Sequence, residues 1–241
     1  MIIVHGFGPH FGMPDGSPFV IKTMMQLKLA GLEYEHCGDG TAKAPNGKVP
    51  FIEDDGEIIA DSALIRRHVE RKYNVDLDAG LTPRQRAIAW AIEKMAEEHL
   101  YFALIDLRWR GDRNFAAGPA HFFDRLPGPV RPLVRRIGRS RMMKTLYLQG
   151  TGRLSPAAVE ENAGRDIDAI ATQLTASSYV MGDKATAVDG FIYGVLRSLL
   201  VPVFETDLRR RIESHSNLAA YVVRVTDRFF ALSSPEQSSS V

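Results

Sequence analysis

The acidic–hydroxyl pair Asp61-Ser62 is the stretch of this sequence best suited to binding a small charged molecule. Apolar residues recur at helical spacing after it, so the pair stands at the first turn of a predicted helix. A helix N-terminus offers unpaired N–H groups and partial positive charge to a carboxylate, and Asp61 can pair with an ammonium group. The pair indicates a site for a ligand that carries both charges, although an ordinary helix cap with no ligand accounts for the same two residues.

A β-hairpin is predicted directly before that helix. Two short apolar runs, 49–52 and 58–60, flank the turn 54–56, in which Gly56 accepts a positive φ angle. Pro50 gives no N–H to a sheet ladder, so it must stand at the first position of a strand or beside a special backbone geometry. A cis Val49-Pro50 peptide bond is one such geometry.

A strand–helix–strand unit is predicted before the hairpin. Residues 2–7 form a short apolar strand, Ser17 and Pro18 open a helix as N-cap and first helical residue, and Gly31 ends it. The alternation of apolar and polar residues over 32–37 predicts a second strand, which should run parallel to the first with a right-handed crossover. The order βαβ followed by ββα is the thioredoxin-like arrangement.

Three segments, 17–22, 48–62 and 182–189, together resemble the glutathione S-transferase superfamily. The extended first loop, the Ser-Pro-Phe helix start and the Glu-Ile-Ile-Ala-Asp-Ser segment are most similar to its metaxin and failed-axon-connections branch. The resemblance implies that Pro50 is cis and that the acidic–hydroxyl pair receives the γ-glutamyl end of glutathione, which acts as co-substrate. The glutathione-binding residues it implies are Lys48, Val49, Pro50, Asp61 and Ser62.

The same resemblance gives Ser17 a candidate catalytic role, because some members of the family carry there a Ser that meets the glutathione sulfur. A hydroxyl donor at a helix N-terminus stabilises a thiolate by a hydrogen bond and by the positive end of the helix, which lowers the pKa of the thiol. The alternative is that Ser17 is simply an N-cap. Both interpretations stay open at this point.

A second, all-helical domain is predicted after a boundary rich in turn residues at 73–82. We expect a thioredoxin-like domain over residues 1–76, a helical bundle over 83–232 and a disordered tail over 233–241. Within the bundle, Thr186-x-x-Asp189 is a capping box and resembles a structural motif of the family. Its expected role is in folding and not in chemistry.

The electrophile site of such a transferase would be formed by the first helices of the second domain and by the loop after the first strand. The candidates are Phe11, Tyr101, Arg108 and Trp109. Aromatic residues at helical spacing also form hydrophobic cores, and Phe11 also fits a surface loop with no role.

Composition narrows the functional classes. A formal charge of +1 argues against a surface that wraps a polyanion, so we expect no nucleic-acid partner, and the Arg-rich run 131–144 is interpreted as a solvated helix face. The single cysteine excludes an internal disulfide framework, and no histidine pair has metal-ligand spacing, so we expect no metal. The start of the chain lacks a signal peptide and no apolar run is long enough for a membrane span, which favours a cytoplasmic protein.

The sequence therefore predicts a glutathione-dependent transferase that activates the glutathione thiol for attack on a small hydrophobic electrophile. The family resemblance further implies a homodimer and a role in detoxification. A non-catalytic protein that keeps this fold to bind a ligand or a protein partner is the alternative.

Overall fold

The computed structural model describes residues 1–38, 40, 43–124, 126–204 and 206–231. A small mixed sheet with two helices is followed by an all-helical region, so the predicted architecture of a thioredoxin-like domain and a helical domain is confirmed. The predicted disordered tail, 233–241, and residue 232 lie outside the described residues.

The sheet has four strands in the order β2-β1-β3-β4. β1 pairs in parallel with β2 and antiparallel with β3, which continues into the antiparallel β3–β4 hairpin. Asp55 and Gly56 form the hairpin turn, both at positive φ, as a two-residue connection between right-twisted strands requires. The strands are β1 Ile2–His5, β2 Tyr34–Cys37, β3 Phe51–Asp54 and β4 Glu57–Ala60.

The first two strands are shorter than the sequence predicts. β1 ends at His5 instead of residue 7, because the chain turns away at Gly8, where φ is +86° and the backbone N–H donates to Asp15. β2 begins at Tyr34 instead of residue 32, since the N–H of Leu32 still donates to the C=O of Leu27 at the end of the preceding helix.

Helix α1, Pro18–Leu29, belongs to both hydrophobic cores of the protein. Val20, Met24 and Leu27 pack against the sheet, whereas Ile21 and Met25 pack into the core of the helical region. A helix that is buried on opposite faces needs apolar residues on both, which its sequence supplies, and its polar residues Lys22, Thr23 and Gln26 are buried as well.

The remaining helices complete the sheet core and form the helical region. α2 packs with α1 on one face of the sheet, and α8 packs directly against α1. A π-helical turn, Ala96–Leu100, joins α3 to α4 without a break in the helix. The helices are α2 Ser62–Lys72, α3 Pro83–Met95, α4 Tyr101–Trp109, α5 Asp112–Ala117, α6 Arg131–Gln149, α7 Pro156–Gln173, α8 Ala187–Leu199, α9 Asp207–Ser214 and α10 Ser216–Val225.

The junction between the sheet region and the helical region contains a buried ion cluster. Lys22 of α1 is fully buried, and its Nζ lies 3.1 Å from Glu93 Oε1 and 2.6 Å from Glu97 Oε1. A buried ammonium must be paired to be tolerated, so this cluster fixes α1 against the start of the helical region. The domain boundaries 1–76 and 83–232 stay a prediction; the connection between α2 and α3 spans residues 73–82.

Candidate functional site

The predicted glutathione-binding segments and Ser17 leave the sheet at the same end. Phe51, the first residue of β3, pairs with His5 at the end of β1 and with Ala60 at the end of β4. Pro50 and Asp61 therefore adjoin one another, and the C=O of Pro50 accepts a hydrogen bond of 3.3 Å from the N–H of Asp61. The loop that follows β1 returns to α1 at this same end, so the sheet positions both predicted parts of the site together.

The predicted ligand end of the hairpin has an unusual backbone. The Val49–Pro50 peptide bond is cis, and Asp61 has a φ angle of +84°, which a non-glycine residue rarely adopts. Asp61 Oδ1 accepts the N–H groups of Ala63 and Leu64 at 2.9 and 3.3 Å and so caps α2, while the residue stays exposed. A positive φ angle at a non-glycine residue is strained, and such positions persist where the surroundings hold them and concentrate at functional sites.

The other two predicted glutathione residues differ in exposure. Ser62 is buried at the first position of α2, whereas Lys48 is exposed in the loop before β3. An exposed lysine next to the hairpin end adds positive charge where a ligand carboxylate would approach.

Ser17 is the N-cap residue of α1, yet its hydroxyl makes no capping hydrogen bond to the helix. The side chain is 7% exposed. Its backbone N–H donates to Asp15 Oδ1 at 2.7 Å, and the other oxygen of Asp15 accepts the N–H of Gly8 at 2.8 Å. The backbone is thus held by a carboxylate that leaves the Ser17 hydroxyl available at the positive end of the helix.

All four residues predicted for the electrophile site, together with Ser17, line one cavity of about 110 Å³. Phe11 lies in the wall at a φ angle of +51°, with its ring 5.5 Å from that of Phe204. Tyr101 contributes a ring 4.9 Å from Phe19, edge to face, and burial raises the pKa of its hydroxyl. The structure thus brings Ser17 and the predicted electrophile residues to a single, mostly apolar cavity.

Arg108 is the charged member of this wall. It is 6% exposed, its Nη2 donates to the C=O of Ser198 at 2.8 Å, and its guanidinium lies over the ring of Phe204 at 4.7 Å. Burial lowers the pKa of Arg108 to about 10. Trp109 is also buried, and its C=O accepts a 2.9 Å hydrogen bond from Arg139 Nε, so this residue serves packing as well as the cavity.

Sequence reasoning missed Asp15, which is fully buried and lies 3.0 Å from His36 Nε2 in addition to the two N–H groups it accepts. Its signal was the Asp-Gly-Ser-Pro stretch, because an Asp two residues before a helix cap commonly accepts a backbone N–H. Phe122 and Phe204 were also missed as wall residues. They lie far along the chain from Ser17, and no local pattern links them to it.

The capping pair predicted at the start of α8 lies away from the cavity. Thr186 is the N-cap, and the fully buried Asp189 accepts its N–H at 2.8 Å, the N–H of Val180 at 3.0 Å and the hydroxyl of Tyr221 at 3.0 Å. Burial raises the pKa of Asp189 to about 6. These contacts tie three segments of the helical region together, which is a structural role.

A larger cleft of about 260 Å³ between α2 and α3 is less suited to a charged ligand. Two of its three arginines are already paired: Arg66 lies 2.6 Å from Asp78, and Arg86 lies 2.6 Å from Asp76. Over the described ranges, no three His, Cys, Asp or Glu side chains cluster as a metal site would require. None of the helices in that part of the chain has the length and apolar character needed to cross a bilayer.

The sequence matches two family descriptions, "Glutathione S-transferase N-terminal domain" over residues 18–114 and "Glutathione S-transferase, C-terminal domain" over residues 163–225. The isoprene-epoxide–glutathione S-transferase of Rhodococcus sp. (strain AD45) is 31% identical over 239 residues, which cover 95% of this chain and 99% of that protein. Failed axon connections of Drosophila melanogaster is 31% identical over 231 residues, 90% of this chain and 55% of that protein. The chain therefore spans about half the length of this second relative, whose branch the sequence had indicated.

Solved structures show the same fold. A glutathione transferase family member from Pseudomonas fluorescens pf-5, determined with two glutathione bound, aligns with a TM-score of 0.57 at 16% identity, over 94% of this chain and 88% of that one. With both domain families matched in order and a relative similar over nearly its whole length, the chain belongs to the glutathione S-transferase family.

Proposed function

We propose that this protein is a glutathione-dependent transferase that activates the glutathione thiol for attack on a small hydrophobic electrophile. The observation that carries the proposal is the Ser17 hydroxyl, which is not used to cap α1 and which lines the same cavity as Phe11, Tyr101 and Arg108. A nucleophile activated at Ser17 would meet an electrophile held by these walls.

Each end of glutathione has a matching group at this end of the sheet. The γ-glutamyl carboxylate would bind at the N-terminus of α2 beside Ser62, and its ammonium group would pair with Asp61, whose second carboxylate oxygen is left over after capping. Bound this way, glutathione supplies the sulfur nucleophile. Ser17 then donates its O–H to the sulfur and stabilises the thiolate, and the positive end of α1 adds to this effect.

The cavity suits a small and largely apolar substrate. A dry cavity of about 150 Å³ can hold benzene, so a space of about 110 Å³ with an open mouth accommodates a group of no more than about one ring. The 31% identical relative is named for isoprene epoxide, which makes an epoxide a suitable first electrophile to test. In that reaction a C–S bond forms, a ring C–O bond breaks, and the freed oxygen takes up a proton.

The first experiment is a calorimetric titration of the purified protein with glutathione, repeated on Asp61→Ala. We expect the wild type to bind and the variant to lose most of its affinity, because the ammonium loses its partner. Ser155→Ala serves as the matched control, since it alters an exposed helix cap far along the chain from this site. Absence of binding in the wild type at millimolar glutathione would refute the proposal.

The competing function is a non-catalytic protein that retains the fold to bind a ligand or a protein partner. It is favoured by the similarity to Failed axon connections, which is as high in identity as that to the transferase. Glutathione binding without turnover of any epoxide or activated halide would support this second function. Our proposal also takes the protein to be a cytoplasmic homodimer that detoxifies its electrophile; light scattering of the purified chain would test the dimer.

A further inference from the structure

We propose that Arg108 makes the cavity selective for electrophiles that carry a carboxylate. That the ligand is an electrophile rests on the proposed transferase function. Binding of a carboxylate at Arg108 can be tested without any reaction.

Arg108 is a buried cation without a counter-ion among the described residues. No described carboxylate lies within ion-pair distance of it, and burial lowers its pKa. Its Nη2 donates to a neutral acceptor, the C=O of Ser198, and its buried Nε has no hydrogen-bond partner within the described ranges. An isolated buried charge is costly, and a ligand that brings the opposite charge recovers part of that cost.

The other arginines near this cavity show that the chain normally supplies such a partner. Arg110, two residues later on the same turn, lies 2.7 Å from Asp106, and Arg139 lies 2.7 Å from Asp112. Arg108 alone among these three faces the cavity, and it alone lacks a carboxylate in the described part of the chain. Of these three arginines, the one without a carboxylate partner among the described residues is therefore the one that a ligand can reach.

The geometry around Arg108 favours a planar anion attached to an apolar body. The guanidinium is fixed by stacking on Phe204, by its bond to Ser198 and by burial, so its donors are held in place before a ligand arrives. Guanidinium groups bind carboxylates in a common plane with strong, charge-assisted hydrogen bonds. Apart from Ser17 and two glycines, the other wall residues have aromatic, aliphatic or thioether side chains, which suit the hydrocarbon part of the ligand.

The test compares benzoate with benzamide, two unreactive probes of the same shape that differ in charge. Titration of the wild-type protein, without glutathione, should give a benzoate affinity about tenfold or more above that of benzamide, as expected for one charge-assisted hydrogen-bonded pair. Arg108→Met should remove this preference and leave benzamide binding unchanged. Equal affinities of the wild type for the two probes, or no binding of either, would overturn the inference.

Arg139→Met is the matched control. Arg139 also stacks on a phenylalanine, Phe115, at 4.7 Å, and also donates to main-chain carbonyls, but it does not line the cavity. It should keep the benzoate preference. Thermal denaturation would show whether Arg108→Met folds. If it does not, the preference of the wild type for benzoate over benzamide, and the retention of this preference in Arg139→Met, still decide whether the cavity binds a carboxylate.

Glutathione provides the remaining discrimination. The alternative is that Arg108 stabilises the glutathione thiolate. Arg108→Met would then raise the pKa of the bound thiol, the wild type would show no preference for benzoate over benzamide, and the inference would fail. If the protein prefers benzoate but does not bind glutathione, the inference about the cavity holds and the proposed transferase function fails. The two ideas can therefore be refuted separately.

Discussion

Ser17→Ala separates a hydroxyl that activates a thiol from one that merely caps a helix. The chain contains its own reference, because Ser155-Pro156 begins α7 with the same dipeptide that begins α1 at Ser17-Pro18. Ser155 Oγ accepts the N–H of Ala158 at 3.2 Å, whereas the Ser17 hydroxyl makes no capping bond. Both substitutions change the unfolded chain in nearly the same way, so the difference between them reports on the folded state.

The structure gives opposite expectations for the two variants. Ser155→Ala loses a cap worth about 1 kcal/mol, which lowers the melting temperature by roughly 2–4 °C in a chain of this size. It should keep full activity. Ser17→Ala loses no cap and should unfold nearly as the wild type does, but it removes a hydrogen bond to a charged sulfur worth about 1.5–3 kcal/mol. That energy corresponds to a fall of about ten- to hundredfold in kcat/KM at neutral pH.

The assay measures thermal unfolding, glutathione affinity and the ultraviolet absorbance of the bound thiolate as a function of pH. For Ser17→Ala we expect unchanged stability, nearly unchanged affinity and a thiol pKa raised by about one to two units. Turnover of an epoxide should partly recover at high pH, where the thiol ionises unaided. A variant that is as destabilised as Ser155→Ala, with an unaltered thiol pKa, would show that Ser17 is only a cap.

Three further predictions concern the frame around the site. Gly194→Ala should destabilise the fold by about 1–3 kcal/mol although alanine favours helices, because the added Cβ would lie 2.9 Å from the C=O oxygen of Pro18. The control Gly128→Ala should keep the melting temperature of the wild type, because nothing lies within 4 Å of the added Cβ. Lys22→Met should cost about 1–3 kcal/mol, because Glu93 and Glu97 lose the buried ammonium and keep Lys94 as a partner; denaturant titration should show recovery when both glutamates are also changed to glutamine. Burial raises the pKa of Asp189 from 3.8 to about 6. Between those pH values the folded state binds more protons than the unfolded state, so the free energy of unfolding should fall as pH rises through them. Asp189→Asn should reduce this pH dependence in urea titrations, and an unchanged pH dependence would contradict the raised pKa of Asp189.

Elements that depend on neighbouring residues were predictable from the sequence. The turn at Asp55-Gly56 and the cap at Asp61 are determined by residues within a few positions of each other. Tyr101 and Arg108 were candidates because of the family resemblance, and their spacing of seven residues is consistent with one face of a helix. Local chemistry was thus sufficient for the hairpin end, and the family resemblance indicated one wall of the cavity.

The rest of the cavity and the ion cluster depend on tertiary contacts between distant segments. Phe204 stacks on Arg108 from almost a hundred positions along the chain, and Lys22 meets Glu93 across 71 residues. A lysine in an amphipathic pattern normally indicates a solvent-exposed face, so its burial between two domains has no local signal. Only the three-dimensional structure shows which charges are paired and that Arg108 has no paired carboxylate among the described residues.

Because α1 is shared by both cores, the position of Ser17 depends on the helical region as well as on the sheet. A Cβ added at Gly190 or Gly194 of α8 would lie 3.0 or 2.9 Å from main-chain oxygens of α1, so the two helices are in close backbone contact. The loop before Ser17 is also held from α8, since Arg197 Nη2 donates to the C=O of Gly12 at 3.0 Å. Ser198, the next residue of α8, holds Arg108 through its C=O. Helix α8 thus positions both Ser17, which would activate the nucleophile, and Arg108, which is proposed to orient the electrophile. Substitutions in α8 should therefore alter the alignment of the two proposed substrates more than the affinity for either one.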